Sequence, residues 1–237
     1  MKVLIISPTY NERENILKLL NQIWSTDKSY DVLIVDDNSP DGTGKIVKNA
    51  MKNNSGLHLI EREGKQGLGT AYCEGFKWAI KNKYEKVIQM DADLSHNPKD
   101  ITRLLEKSNN YDIVIGSRYV NGVNVVNWPM RRLLLSYIAN LYAKLIIGLP
   151  INDATAGFKC FNISVLRQIN LSQIKSEGYS FQIEMNTKVK IHGFSIAEVP
   201  IIFVDRTIGK SKMTKKIIFE AIWVVIKMRI HSILGIK

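Results

Sequence analysis

The residues best suited to chemistry in this chain are acids placed where apolar runs end. Met90-Asp91-Ala92-Asp93 closes the run 86–90, and Asp36-Asp37 follows the run 32–35. Asp37 leads into Asn38-Ser39-Pro40-Asp41-Gly42-Thr43, the composition of a turn and helix start. Asp91 and Asp93 share one side of an extended chain, about 6.6 Å apart at ~3.3 Å per residue. Such a pair can approach one divalent cation. Hard oxygen ligands suit Mg²⁺ or Mn²⁺, with phosphate oxygens and water completing the shell. An isolated Asp-x-Asp often belongs to a solvated turn, but one that ends an apolar strand beside other strand-end acids points to a metal and a nucleotide. His96, beside the pair, reads as a loop hydrogen bonder rather than a catalyst.

The elements that must position these acids alternate along the first half of the chain. Short β-branched runs at 3–7, 32–35, 57–60, 86–90 and 113–116 read as buried parallel strands. Helical patterns lie between them at 12–24, 45–51, 69–80 and 98–107, the last opening on Asn97-Pro98 with Pro at the first helical position. This order predicts an α/β fold with an open, mostly parallel sheet flanked by helices, whose ligands bind beyond the carboxyl ends of the strands. After about residue 122 the pattern changes to long helices, a strand near 195–204 and a basic tail. The reading is one domain with a nucleotide-binding part, 1–122, and a specialised part, 123–237.

Two common ligands of such sheets are excluded. The first strand runs into Ser7-Pro8-Thr9-Tyr10-Asn11-Glu12, without the GxGxxG of a dinucleotide site, and no GxxxxGK[ST] occurs. The 237 residues carry 33 Lys+Arg against 22 Asp+Glu, a net +11, which attracts an anionic partner. A non-enzymatic nucleic-acid module would account for that charge but not for strand-end acids, which repel phosphate without a metal. Cys73 and Cys160 stand far apart and form no CxxC pair, and the amino-terminal apolar run is too short for a signal peptide. The chain reads as cytosolic.

Two segments are greasy without reaching a membrane span. In 133–149 the polar residues Ser136, Asn140 and Lys144 recur every fourth position from Arg132, one narrow stripe on an apolar helix. The segment 217–236 carries Trp223 and many Ile and Val beside Glu220, Lys227 and Arg229. Both are expected to lie in a membrane interface, apolar faces in lipid and basic side chains at anionic headgroups.

Six motifs in order sharpen this reading: PTYNE (8–12), VDDNSPDGT (35–43), GLGTAY (67–72), MDADLSHNP (90–98), GSRY (116–119) and VDRTIGKSKM (204–213). Together they resemble the dolichyl-phosphate (polyprenol monophosphate) mannosyltransferases of the family 2 glycosyltransferases, in the short form without a transmembrane domain. The resemblance spans nearly the whole chain and implies the A-type nucleotide-sugar fold, with the carboxy-terminal segments as interfacial helices. By that resemblance Pro8, Tyr10, Glu12, Val35 and Asp37 hold the guanosine of GDP-mannose. Asp91, Ala92 and Asp93 handle the diphosphate, both Asp ligating Mg²⁺ or Mn²⁺. Arg206 and Lys212 bind the diphosphate, and Arg118 faces the junction of donor and acceptor. Arg132 and Ser136 take the phosphate of the lipid. Where some relatives have Gln, this chain has Ser95, which puts a third side-chain ligand in doubt.

The implied reaction is transfer of mannose from GDP-mannose to dolichyl or polyprenyl phosphate with inversion, for glycan assembly and protein glycosylation. It places the protein peripherally on the cytosolic face of a membrane. A small membrane-embedded partner subunit is compatible with it, and nucleic acid is not a partner. A sister enzyme using UDP-glucose on the same kind of lipid shares most of the motifs.

Overall fold

The structure is a computed structural model that describes residues 1–174 and 176–205 and a helix at 215–234, whose side chains are placed at 222–230 and 233. Its strands are β1 (Val3–Thr9), β2 (Asp31–Asp36), β3 (Leu57–Glu61), β4 (Lys86–Gln89), β5 (Ile113–Ser117), β6 (Val125–Val126), β7 (Lys159–Asn162), β8 (Ile196–Pro200) and β9 (Phe203–Val204). Its helices are α1 (Ile16–Thr26), α2 (Thr43–Met51), α3 (Leu68–Lys81), α4 (Asp100–Lys107), α5 (Met130–Ala143), α6 (Ile163–Gln168), α7 (Gly178–Ile191) and α8 (Lys215–Leu234).

Seven strands form one sheet in the order β3-β2-β1-β4-β7-β5-β8, and β6 pairs with β9 in a small second sheet. Residue type dictates the strands. Val3–Ile6, Val32–Val35 and Ile113–Ile115 are buried on both faces, as a parallel sheet covered by helices requires. Alternate residues serve opposite layers: Leu4, Ile6, Leu33 and Val35 pack with α3 and α7, while Val3, Ile5, Val32 and Ile34 pack with α1, α2 and α4.

The sheet departs from the sequence reading in three places. β7 runs antiparallel between β4 and β5. Its segment Lys-Cys-Phe-Asn carries a charge that hides it among strand candidates. The expected strand at 195–204 is two: the Ile201 N–H still donates to Ser117, but Phe203 donates to Asn124 and starts the second sheet. Helix α4 begins at Asp100, not at Pro98, because Asn97 uses its Oδ1 for the Lys99 N–H and its carbonyl for the Asp100 N–H, a turn before the helix.

The greasy segment 133–149 folds as α5 followed by a π-helical turn, Lys144–Gly148. Its polar stripe turns inward, which corrects the expectation of headgroup contacts. Arg132 pairs with Asp205, Ser136 Oγ accepts from the Tyr119 hydroxyl, Asn140 is buried and Lys144 donates to Asn152. The outward face is apolar instead: Leu134, Tyr137, Ile138, Leu141 and Leu145 are all exposed. Helix α8 packs on α7 and on the π-helical turn through Val225 and Met228, leaving Trp223, Ile226, Ile230 and Ile233 outside.

Candidate functional site

A cleft of about 370 Å³ opens beyond the carboxyl ends of β1, β2, β4 and β5. Most of the residues singled out from the sequence meet there: Pro8, Tyr10, Glu12, Asp37, Asp91, Ala92, Asp93, Arg118 and Arg132 all line it. Val35 does not. Its side chain is fully buried in the layer under α3, 3.5 Å from where a Cβ on Gly75 would stand. Ser136 does not line it either; it accepts from the hydroxyl of Tyr119, the residue after Arg118. Arg206 and Lys212 lie outside the described residues.

The acid pair sits in the bend after β4 rather than on extended strand, with Leu94 at φ +62° turning the chain. Each carboxylate is aimed by a neighbour. The Tyr72 hydroxyl donates to Asp91 Oδ1 at 2.9 Å. Burial, then the Asp91 charge, raises the Tyr72 phenol well above its ordinary value, so it stays a donor. Gly157 leaves room on the other side, since a Cβ there would stand 2.9 Å from Asp91 Oδ2. Asp93 Oδ1 accepts from the Ser95 hydroxyl at 2.5 Å and from the Ser95 N–H at 3.1 Å. Ser95 therefore orients Asp93. Among the described residues no group of three or more His, Cys, Asp or Glu gathers for a metal. The donor set fits a hard divalent cation that takes two carboxylates from the chain and the rest of its shell from phosphate and water.

At the other end of the cleft Asp37 ties a loop together. Its Oδ1 accepts from buried Arg62 at 2.6 Å, and its Oδ2 from the N–H groups of Gln66 and Gly67 at 3.2 and 3.1 Å. Arg62 reaches on to Gln66 and Thr70. Glu177, just before α7, closes the same loop, accepting from the Gly69 N–H at 3.1 Å at the start of α3. Gly67 is at φ +101°, and a Cβ there would strike the Glu177 carboxyl at 2.3 Å. Glu12 accepts from Asn15 through its carboxylate and donates its N–H to Thr43 Oγ1, while Lys65 lies over the Tyr10 ring.

The wall toward α5 is cationic and aromatic. Arg118 is buried and bidentate to Asp153, Nε to Oδ2 at 2.7 Å and Nη2 to Oδ1 at 2.6 Å. Burial opposes its charge, but Asp153 more than offsets that and holds its pKa above the ordinary value. Trp128 stands between two guanidiniums, 5.4 Å from Arg118 and 4.1 Å from Arg132. Among the described residues Trp128 Nε1 and Arg132 Nε, both buried, find no hydrogen-bond partner. Two orphaned donors on cleft-lining residues suit an anion. His96 stacks on Phe158 and meets the edge of Phe203; burial lowers its pKa and keeps the ring neutral.

Under the floor, Lys159 Nζ donates to Gln182 Oε1 at 2.7 Å and Asn186 Oδ1 at 2.9 Å, and burial pushes its pKa down to about 7. Sequence reading missed Arg62, Asp153, Lys159 and Gln182, each of which has a partner at least 23 residues away in Asp37, Arg118, Gln182 and Gln89 respectively. Tyr72 stood inside a quoted motif, but nothing in its spacing linked it to Asp91.

The model described as "Glycosyl transferase family 2" matches residues 4–169. The chain is 42% identical over 233 residues to a polyprenol monophosphomannose synthase of Mycolicibacterium smegmatis, covering 98% of this chain and 88% of that protein. It is 43% identical over 222 residues to an undecaprenyl-phosphate mannosyltransferase of Micrococcus luteus, covering 94% and 91%. Among solved structures, a glucosyl-3-phosphoglycerate synthase of Mycobacterium tuberculosis superposes with TM-score 0.68 at 14% identity, over 96% of this chain and 79% of that one. A mannosyltransferase of Pyrobaculum calidifontis, solved with GDP-Man and Mn²⁺, gives 0.59 at 17%, over 99% and 74%.

Proposed function

The chain belongs to the family 2 glycosyltransferases, and on that premise we propose that it transfers mannose from GDP-mannose to a polyprenyl or dolichyl phosphate, inverting the sugar's configuration. The observation that carries the reading is a cleft lined both by an aimed pair of carboxylates and by Arg118, Arg132 and donors unpartnered among the described residues. The two mannosyltransferase relatives support the sugar and the lipid phosphate.

Asp91 and Asp93 would hold Mg²⁺ or Mn²⁺ against the donor diphosphate. The cation supplies charge stabilisation for the departing GDP. Pro8, Tyr10 and Glu12 line the nucleoside end; Asp37 acts there by fixing the loop 62–70. Arg206 and Lys212, outside the described residues, are assigned to the diphosphate on motif alone. The nucleophile brings its own negative charge, because a phosphate monoester loses its second proton with a pKa of ~6. No side chain need act as base. A lipid phosphate oxygen forms the new bond to the anomeric carbon while the bond to the GDP oxygen breaks, through an oxocarbenium-like transition state. Arg118, Arg132 and the Trp128 N–H, which line the cleft, would receive that phosphate, with Ser136 bonded to Tyr119.

The acceptor's solubility explains the outside of the molecule. Among the described residues no helix is long and apolar enough to cross a membrane. The exposed apolar faces of α5 and α8, with Arg131, Lys227 and Arg229 also exposed, suit the surface of an anionic bilayer. On this reading the enzyme works peripherally, on the cytosolic face of a membrane.

Calorimetric titration of GDP-mannose and of UDP-glucose, each with Mn²⁺ and with EDTA, tests the reading. Metal-dependent binding of GDP-mannose alone is expected. A preference for UDP-glucose would move the donor to the sister enzyme, and binding of neither would overturn the site.

A further inference from the structure

The polar stripe of α5 ends on the loop 152–155, and that loop ends on Arg118. Asn140 Oδ1 accepts from the Thr155 N–H at 3.1 Å, and its Nδ2 donates to the Ser136 carbonyl at 2.9 Å. One turn on, Lys144 donates to Asn152 Oδ1 at 2.7 Å. From the opposite side Glu198 on β8 accepts from the N–H groups of Asn152 and Asp153, both at 2.9 Å. The loop is therefore pinned between the sheet and the outer helix. Asp153, wholly buried, takes three bonds from Arg118, the backbone N–H at 2.9 Å, Nε at 2.7 Å and Nη2 at 2.6 Å, and a longer one from the Thr155 hydroxyl at 3.4 Å. Thr155 Oγ1 takes Nη2 as well, at 2.7 Å. Among the described residues every donor of the guanidinium except Nη1 is thus committed to Asp153 or Thr155, and Arg118 itself lines the cleft.

We infer that Asp153 is the positioning residue that presents Arg118 Nη1 to the reacting phosphate, and that Asn140 is the tether through which the lipid-facing helix α5 sets that position. The inference rests on the proposed role of Arg118 as a group that touches substrate. It follows from chemistry at each link. A buried guanidinium without its carboxylate has no fixed orientation, and small displacements in a transition-state contact cost large factors in rate. A helix with its polar face inward and its apolar face outward can be moved only together with the loop bonded to it. The same stripe that looked like a headgroup-binding face is a mechanical link from the outer surface to the site.

The test uses the full chain, ¹⁵N-labelled, with Arg118→Gln, Asp153→Asn, the double variant and Asn140→Leu. The Arg118 Nε–H resonance, identified by its loss in Arg118→Gln, is expected to be sharp in the parent protein and broadened or displaced in Asp153→Asn and Asn140→Leu. Arg118→Gln and Asp153→Asn should each lower kcat by ~10²-fold or more, the scale of losing one transition-state donor. The double variant should be no slower than Arg118→Gln, since Asp153 acts only through Arg118. Asn140→Leu should lower kcat with GDP-mannose affinity and vesicle binding unchanged. Should Asp153→Asn fail to fold, Asn140→Leu, which leaves the ion pair in place, carries the test. An unchanged Nε–H signal in the variants, or additive losses in the double variant, would overturn the clamp. A perturbed signal beside a fully active Arg118→Gln would instead keep the clamp and overturn the reading of Arg118 as a substrate contact.

Discussion

Asp37 and Arg132 stand at opposite ends of one cleft and are treated oppositely by the fold. Asp37 has both oxygens committed to protein donors, three in all. Among the described residues the Arg132 side chain bonds Asp205 and keeps a buried Nε unpartnered, near the equally unpartnered Trp128 Nε1. The contrast extends outward. Around Asp37, Asp91 and Asp93 the side chains that aim the site come from strand ends and α3, packed in the core. Around Arg132 they come from a helix whose far side is apolar and exposed. On the proposed reading a nucleotide arrives from water and its site can be finished in advance. An acceptor held in a bilayer would be met by a surface completed on docking, which would account for the open donors and bare apolar faces on that side.

Removing a cleft carboxylate breaks the comparison most severely. Asp93→Ala should abolish metal-dependent binding of GDP-mannose, so that calorimetry with Mn²⁺ gives the trace seen with EDTA. Retained metal dependence would mean that the cation sits elsewhere. On the outer side, Ile138→Glu with Leu141→Glu should leave nucleotide binding intact but release the protein from anionic vesicles in a flotation assay. Each apolar side chain of this size contributes on the order of 1.5–3 kcal/mol when buried. Co-flotation of this double variant at parent levels would show that α5 is not the lipid face. A subtler change isolates the aiming of the acids: Tyr72→Phe should weaken Mn²⁺ in the nucleotide complex by ~10–100-fold, the usual cost of losing a partner of a metal ligand. It should do so with little change in GDP-mannose binding under EDTA.

The smallest effect concerns stability. Lys159 has a folded pKa of about 7, below the ordinary 10.5. Between those values the unfolded chain holds a proton that the folded one has released, so the lysine's destabilising contribution fades and stability rises with pH. Thermal melting of the metal-free protein should therefore rise across that window, and Lys159→Met should flatten the rise. An equal slope in both would assign the pH dependence to other groups.

Much of the site was readable from local pattern. The DADLSH segment, the PTYNE loop and Asp37 follow apolar runs, and the rule that ligands bind beyond strand ends gathers them without any knowledge of packing. The positions that misled are those where a side chain's direction mattered. Val35 belongs to a cleft motif yet points into the layer under α3. Alternation along a strand names two faces, and only the packed helix says which face is which. The stripe Arg132–Lys144 was correctly grouped by helical spacing, but spacing cannot tell an inward polar face from an outward one.

What the sequence by itself determined is the class of fold, the place of the acids and the kinship with glycosyltransferases, because these rest on periodicity and on contiguous motifs. What only the tertiary structure decided is the second set of partners: Tyr72 on Asp91, Arg62 on Asp37, Asp153 on Arg118 and Asn140 on the loop 152–155. Those bonds join residues 15 to 35 positions apart. The reason is physical. A buried charge or polar group must find its partner wherever the folded chain brings one within about 3 Å. No short-range pattern along the chain records which segment that will be.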